Sequence, residues 1–237
     1  YSSGFDKIGD SLFAFSSDKV YEIELAGTSA TVSEVSIDKS GLENPSAYLY
    51  FESMIAFGGD LFLRDMSHVY RMSLEAGANE TTGILAKIEP NFTAASYYNT
   101  GLEAPPDTRY MTTDGTALYI ADGSNNLIRK IDPLTSNITT LAGKLDNFAD
   151  GTGENAEFRS LSKIAMNGTD IYVIDNNRIR VLDSTTGTVS TLLTTGAAYN
   201  NISKWTSDGT DIYFYSSGYT YEGGNYIYYY KLYRLTP

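Results

Sequence analysis

Three aspartates of this chain stand at corresponding places in three similar segments. Asp65, Asp122 and Asp175 close the segments LFLRD, LYIAD and IYVID. Glycoside hydrolysis needs only two carboxyl groups about 5 to 10 Å apart, so acids that recur at one place point to a carboxylate-dependent hydrolase or lyase. An aspartate after a strand also caps the following turn by accepting backbone N–H bonds. We favour this structural role and keep the enzyme as an alternative.

Other catalytic arrangements have less support. The chain has a single histidine, His68, so a metal centre built on several histidines is excluded. A serine hydrolase is not indicated either, because the Gly-x-Ser-x-Gly pattern is absent. The sequence therefore leans toward a protein without catalytic activity.

The acidic stretch DNFADGTGENAE, residues 146–157, has part of the spacing of a calcium loop. Asp146, Asp150 and Glu157 fall at positions 1, 5 and 12 of that loop, but Phe148 replaces the oxygen ligand expected at position 3. We expect no cofactor, with calcium at these three residues as the alternative, in which case the alternative hydrolase or lyase would be calcium-dependent.

Several tyrosines fall in segments that the pattern places outside the strands. Aromatic rings beside Asp, Asn and Ser suit sugars and peptides, because both ligands present apolar faces together with hydrogen-bonding groups. The alternative is that these rings pack loops onto the sheets. Residues 216–226 are predicted to be one of these loops. The predicted binding residues are Tyr48, Tyr50, Asp65, Tyr97, Tyr98, Asp122, Asp175, Tyr219 and Tyr221.

The elements that position these residues are repeated. A short apolar and aromatic core recurs five times along the chain, at intervals of 41 to 57 residues, and such long periods are typical of propellers and solenoids. A tight turn rich in Asp-Gly, Asn-Gly or Gly-Gly precedes most cores and predicts a β-hairpin. The cores begin at Leu12, Leu61, Leu118, Ile171 and Ile212.

Two further strand-like segments follow each of the first four cores, the second rich in threonine, and one such segment follows the fifth core. Four short antiparallel strands in sequence form the blade of a β-propeller. We predict an all-β, single-domain β-propeller with five visible units of four-stranded antiparallel blades. Their approximate bounds are 1–40, 41–90, 105–145, 160–198 and 202–237.

Residues 110–195 resemble the NHL-repeat family of β-propellers. The segments LYIADGSNNLIRKID, TTLAG, DGTGENAEF and IYVIDNNRIRVLD stand there in the order that this family shows. The resemblance implies a toroid with an exposed binding face, and it implies no single activity.

The fifth unit ends at KLYRLTP without a threonine-rich fourth strand. Exposed strand edges recruit other strands, so we expect this edge to be covered. Residues 1–4 are one candidate for the closing strand. A neighbouring domain or subunit is the other, and it would complete a five-bladed propeller or supply a sixth blade.

Composition narrows the choice of partners. The net charge of −12 disfavours nucleic acid, and no apolar run is long enough for membrane insertion. Abundant Tyr, Gly, Ser, Thr and Asn with 19% charged residues suggest a secreted or cell-surface protein. We therefore expect a recognition or scaffolding module that binds protein or carbohydrate through its acidic, tyrosine-rich loops. A structural subunit of an extracellular polymer or larger surface protein is a further alternative.

Overall fold

The computed structural model describes residues 3–46, 48–65, 68–77, 80–88, 111–123, 125–144, 147–194, 202–207 and 210–236. Strands dominate this part of the chain, and its one helical element is a short 3-10 turn. The chain divides into two compact units, Tyr1–Ile120 with Ile131–Ile138 and Ala121–Lys130 with Thr139–Pro237. Within the described residues, no helix has the length and apolar character needed to cross a membrane.

The first two blades are antiparallel meanders of four strands. Blade 1 consists of β1 (Ser3–Ile8), β2 (Ser11–Ser16), β3 (Lys19–Ala26) and β4 (Ser29–Asp38). Blade 2 consists of β5 (Ser53–Phe57), β6 (Asp60–Arg64), β7 (Val69–Ala76) and β8 (Thr81–Ile88). Their fourth strands, β4 and β8, pair in parallel. Parallel pairing follows from the repeat, because identical meanders send corresponding strands in the same direction.

Blades 3 and 4 follow the same plan. Blade 3 consists of β9 (Met111–Thr113), β10 (Leu118–Asp122), β11 (Leu127–Ile131) and β12 (Ile138–Ala142). Blade 4 consists of β14 (Leu161–Asn167), β15 (Asp170–Asp175), β16 (Arg178–Asp183) and β17 (Thr188–Thr194). The connection between them contributes β13 (Gly151–Thr152), which pairs with β17, and the 3-10 turn Gly153–Asn155.

Blade 5 differs from the sequence prediction. It contains β18 (Ile202–Ser207), β19 (Ile212–Glu222) and β20 (Asn225–Leu235), ordered β18-β19-β20 in its sheet. The prediction of a loop at residues 216–226 is wrong, because β19 and β20 stay in register from Ile212↔Leu235 to Glu222↔Asn225. Gly223 and Gly224 have φ angles of 58° and 87°. Two consecutive positive φ angles match the tight turn of a two-residue hairpin, so the strands continue to the tip.

Of the candidate closing strand at residues 1–4, the structure describes Ser3 and Gly4, and these two lie elsewhere. Ser3 and Gly4 belong to β1 and pair with Ser16 and Phe15 of β2. They complete the four strands of blade 1 and, in the described part of the chain, β20 pairs with β19 alone. The prediction that unit five has no fourth strand of its own agrees with this order.

Buried residues of adjacent blades share three clusters. Phe13, Phe15 and Val20 of blade 1 share one cluster with Leu61 and Leu63 of blade 2. The other two clusters join blade 2 to blade 3 and blade 4 to blade 5. A single blade is apolar on both faces, so it is stable only when neighbouring blades cover it. The all-β propeller class predicted from the repeats is confirmed.

Candidate functional site

Asp175, at the end of β15, is fully buried, and both of its carboxylate oxygens accept hydrogen bonds. Its Oδ1 accepts the backbone N–H groups of Arg159 and Ser160, each at 2.9 Å. Its Oδ2 accepts a hydrogen bond from Nη1 of Arg180 at 2.9 Å. The carboxylate therefore fastens the start of blade 4 to its third strand.

Arg180 is itself fully buried and ties the preceding connection to the blade. Its guanidinium donates to the carbonyl oxygens of Ala149 at 2.7 Å and Glu157 at 3.2 Å, and to Oδ1 of Asp150 at 2.9 Å. The guanidinium carbon lies 5.2 Å from the centre of the Phe158 ring, within cation–π range. A buried arginine needs this many acceptors, because an uncompensated charge away from water is strongly destabilising.

Asp122 has a similar environment in blade 3. It is fully buried, and Arg129 Nε donates to its Oδ2 at 3.2 Å. Asn125 also donates, with its backbone N–H to Oδ1 at 3.3 Å and its Nδ2 to Oδ2 at 2.8 Å. Arg129 also donates from Nη1 to Thr140 Oγ1 at 2.6 Å. Side-chain hydrogen bonds through Arg129 therefore connect the second, third and fourth strands of the blade.

Asp65 in blade 2 is also bonded but is less enclosed, with 18% of its side chain exposed. It accepts the backbone N–H of His68 and the hydroxyl of Tyr70, both at 2.8 Å. Burial, followed by the hydrogen bond and charge of Asp65, raises the pKa of Tyr70 above its ordinary value. The tyrosine therefore stays protonated and keeps donating to the carboxylate.

The donors to these three aspartates occupy one position of the repeat. Tyr70, Arg129 and Arg180 are each the third residue of the segments HVYRM, LIRKI and RIRVL. Sequence reasoning identified the aspartates and missed these partners. The signal was present, since a donor recurs in the third strand of every unit that carries the aspartate. The structural role of the aspartates rests on these bonds, and their role in binding stays a prediction.

The calcium candidates do not form a cluster in the part of the chain that the structure describes. Asp146 lies outside the described residues, and the carboxylate of Asp150 is occupied by Arg180 and by the N–H and hydroxyl of Thr191. Burial raises the pKa of Asp150, but the Thr191 hydrogen bonds and the Arg180 charge outweigh it, and the net direction is downward. Among the described residues, no three His, Cys, Asp or Glu form a group that could hold a metal. Glu157 pairs with Ala149 through the backbone, so this segment is a blade connection.

Tyr48 and Tyr50 lie on the connection between blades 1 and 2. They are 74% and 39% exposed, whereas Leu49 and Phe51, which alternate with them, are 3% and 0% exposed. The Phe51 N–H also donates to the carbonyl of Ser17 at 2.7 Å. The buried residues thus anchor the connection and the two tyrosines face solvent.

The remaining predicted tyrosines fall in two regions. Tyr97 and Tyr98 lie outside the described residues. Tyr219 and Tyr221 lie on β19, and the backbone register places Tyr219 opposite Tyr228 and Tyr221 opposite Tyr226. Tyr221 and Tyr226 are 64% and 61% exposed, with ring centres 5.0 Å apart and planes inclined at 60°. The hairpin tip therefore presents a pair of aromatic rings to solvent.

Sequence comparison supports the NHL resemblance over part of the chain. NHL repeat-containing protein 2 of Bos taurus is 39% identical over 79 residues, and the human protein of the same name is 38% identical over 81 residues. These matches cover 31% and 32% of this chain but only 11% of each relative. No protein-family model matches the chain.

Solved structures share the fold at low sequence identity. An auxiliary nutrient binding protein from Bacteroides thetaiotaomicron superposes with a TM-score of 0.51 at 15% identity, covering 90% of this chain and 65% of its own. Hydrazine synthase from Kuenenia stuttgartiensis superposes with a TM-score of 0.54 at 13% identity, covering 88% and 53%. At such identities the likeness establishes the architecture alone.

Proposed function

We propose that this chain, which is an NHL-like β-propeller, is a non-catalytic recognition module that binds a protein or carbohydrate partner through exposed tyrosines. The NHL-like fold supports a recognition or scaffolding role in general. The observation that carries the finer proposal is the Tyr221–Tyr226 pair at the end of the β19–β20 hairpin, exposed by 64% and 61%.

Tyrosine suits recognition because it combines a large apolar ring with a hydroxyl and has few rotatable bonds to immobilise. Tyrosines are enriched in the centres of protein interfaces, and their rings also stack on sugars. The hairpin strands hold the pair in register up to the turn. Part of the conformational entropy that binding would remove from these rings is therefore already lost in the free protein.

The carboxylates considered for catalysis have other roles in this structure. Asp122 and Asp175 are fully buried and accept hydrogen bonds from arginine and backbone or amide groups. A general acid or nucleophile must reach its substrate, and burial behind structural donors is unfavourable for that task. This arrangement supports the non-catalytic proposal over a hydrolase or lyase.

The charge of the chain restricts the partner. A net charge of −12 repels nucleic acids and other polyanions at neutral pH. We therefore propose an uncharged glycan or a neutral to basic protein surface as the ligand. A secreted or cell-surface location, suggested by the composition, belongs to the same proposal.

The test removes both rings at the hairpin tip. The wild type and the double variant Tyr221→Ala/Tyr226→Ala are compared on an array of neutral glycans and in capture of proteins from culture medium. We expect binding by the wild type and at least about a tenfold loss in the double variant, since central tyrosines of an interface are commonly hot spots. Leu134→Ala is the matched control, because Leu134 is 80% exposed and lies away from the hairpin in sequence.

Two results would contradict the proposal. One is a folded wild type that binds nothing in either assay, and the other is undiminished binding by the double variant. Binding to the glycan array alone identifies a carbohydrate partner, and binding seen only in the capture experiment identifies a protein partner.

A further inference from the structure

In blades 1, 2 and 4, one residue near the start of the third strand shares a buried cluster with the following blade. Val20, Val69 and Ile179 hold this position in blades 1, 2 and 4, and they are 0%, 1% and 0% exposed. Each shares a cluster with two residues on the second strand of the next blade. Those pairs are Leu61 with Leu63, Leu118 with Ile120, and Ile212 with Phe214. The chain thus repeats one kind of contact between blades three times.

Leu232 holds the same position in blade 5, in the segment KLYRL, and is 76% exposed. Tyr230, two residues earlier on the same strand face, is 74% exposed. The other strand face behaves as in the rest of the chain, since Tyr233 and Leu235 pack against the cluster shared with blade 4. Blade 5 therefore has one covered face and one exposed apolar face.

Blade 1 carries a surface of the kind that residues at the repeat position of Leu232 contact in the other blades. In blade 2, the row of cross-strand partners Leu61, Met72 and Leu85 belongs to the cluster that contains Val20 of blade 1, and all three are 0% exposed.

The corresponding row in blade 1 is Leu12, Ile23 and Val32, joined by the same cross-strand pairing. Leu12 and Ile23 are only partly buried, and Val32 is 61% exposed. Leu25, on the same face two residues after Ile23, is 60% exposed.

We propose that a second copy of this chain docks on blade 5, with Leu232 of one copy against the Leu12–Ile23–Val32 row of the next. One chain carries both halves of a contact that it already makes three times between its own blades. Each half exposes large apolar side chains of the kind that marks interaction surfaces. A second copy is thus the occupant whose chemistry the chain itself specifies.

The proposed contact joins two different surfaces, so it is heterologous. Heterologous contacts produce chains or closed rings of subunits, because every added copy offers a new surface of each kind. We expect the mean mass in solution to rise with concentration through dimers and larger species. A self-complementary dimer, in contrast, would stop at two copies.

The first experiment measures mass by sedimentation and light scattering between about 1 and 200 µM, a range that detects weak specific association. Leu232→Glu and Val32→Glu each place a charge in one half of the contact, and each is expected to weaken self-association by about tenfold or more. Leu134→Glu is the matched control, because Leu134 is 80% exposed and belongs to neither half. All three positions are exposed, and circular dichroism of each variant checks that it folds.

The second experiment mixes the two variants. Leu232→Glu retains an intact blade 1 row and Val32→Glu retains an intact blade 5 face, so the mixture should form a 1:1 dimer that neither variant forms alone. Three results would overturn the proposal. They are a wild type that stays monomeric throughout the range, a loss of association in Leu232→Glu but not in Val32→Glu, or a mixture that stays monomeric.

The tyrosine pair at the hairpin tip is tested independently of this contact. Leu232→Glu leaves Tyr221 and Tyr226 unchanged, so failure of the docking proposal leaves partner binding by this variant intact, and failure of the tyrosine proposal leaves the self-association measurements unaffected.

Discussion

Blades 4 and 5 come from the same repeat but have different surroundings. In blade 4 the third strand is enclosed, with Ile179 and Arg180 both 0% exposed and the neighbouring strand β17 paired to β13. In blade 5 the corresponding Leu232 is 76% exposed, and β20 is the edge strand of its sheet in the described part of the chain. Similar strands therefore reach different degrees of burial.

The difference shows that the repeat supplies only half of each interface. A blade is an apolar sheet on both faces, and its stability depends on what its neighbours cover. Blade 4 shares a buried cluster with blade 5, and β13 of the preceding connection pairs with its outer strand β17. The buried Asp175–Arg180 ion pair stabilises the blade further. Blade 5 shares a cluster on one face, and on the other face Tyr230 and Leu232 are exposed.

The largest expected effect comes from breaking the buried pair in blade 4. Arg180→Met leaves Asp175 buried without its cation, which should lower the free energy of unfolding by about 3–5 kcal/mol. Urea unfolding at neutral pH measures this change in the free energy of unfolding. Lys231→Met, an exposed substitution on β20, is the control and should change stability by less than about 0.5 kcal/mol.

The double variant Asp175→Asn/Arg180→Met makes that prediction sharper. Removing both charges should cost clearly less than the sum of the single substitutions, because no buried unpaired charge remains and Asp150, which also loses Arg180, is 54% exposed. Additive losses would show that the pair contributes little as a unit.

The second prediction compares the same repeat position in the two blades. Ile179→Ala removes a fully buried side chain and should cost about 2–5 kcal/mol through lost burial and the cavity left behind. Leu232→Ala should change stability by no more than about 0.5 kcal/mol in dilute protein, because its side chain is already in water. Thermal or urea unfolding at low concentration measures both, and equal losses would mean that Leu232 is enclosed in solution.

The smallest effect concerns a carboxylate in the β9–β10 turn of blade 3. Burial raises the pKa of Asp114, but bonds from the hydroxyl of Tyr119 and from Ala117 and Thr116 dominate and hold it at about 2. A carboxyl whose pKa is lowered by folding stabilises the protein above its ordinary pKa, and this contribution disappears as pH falls toward the folded value. Asp114 is exposed, so solvent screening limits its contribution to about 1 kcal/mol.

Asp114→Asn should therefore be less stable than the wild type near pH 7, and the difference should shrink between pH values of about 5 and 2. Unfolding free energies measured across that interval provide the test. A difference that stays constant with pH would show that the ionised form is not what the hydrogen bonds stabilise.

Much of the fold followed from local patterns. The cores beginning at Leu12, Leu61, Leu118, Ile171 and Ile212 all lie in second strands. In blades 2, 3 and 4 these cores are buried throughout. A strand turns successive side chains to opposite faces of a sheet, so continuous burial shows that both faces of these strands are covered. The threonine-rich segments became fourth strands in the first four blades. These features depend on residues close in sequence, so the sequence predicted them well.

The site was predicted less completely. The pairing of Asp175 with Arg180 and of Asp122 with Arg129 crosses between strands, so it depends on register as well as residue type. The segment around Tyr221 resembled a loop because Gly and Ser interrupt it, yet pairing with β20 carries the strand through. Cross-strand hydrogen bonds can override the weak strand preference of such residues.

The sequence by itself determined that this protein is a repeating all-β chain, because period, turn residues and alternation are local properties that each unit carries. Tertiary structure alone decided which of its equivalent residues are buried. Val20, Ile179 and Leu232 hold one position of the repeat, yet their burial differs because it depends on the next sheet. A side chain is buried only when a second sheet covers it, and the sequence of one strand does not specify that second sheet.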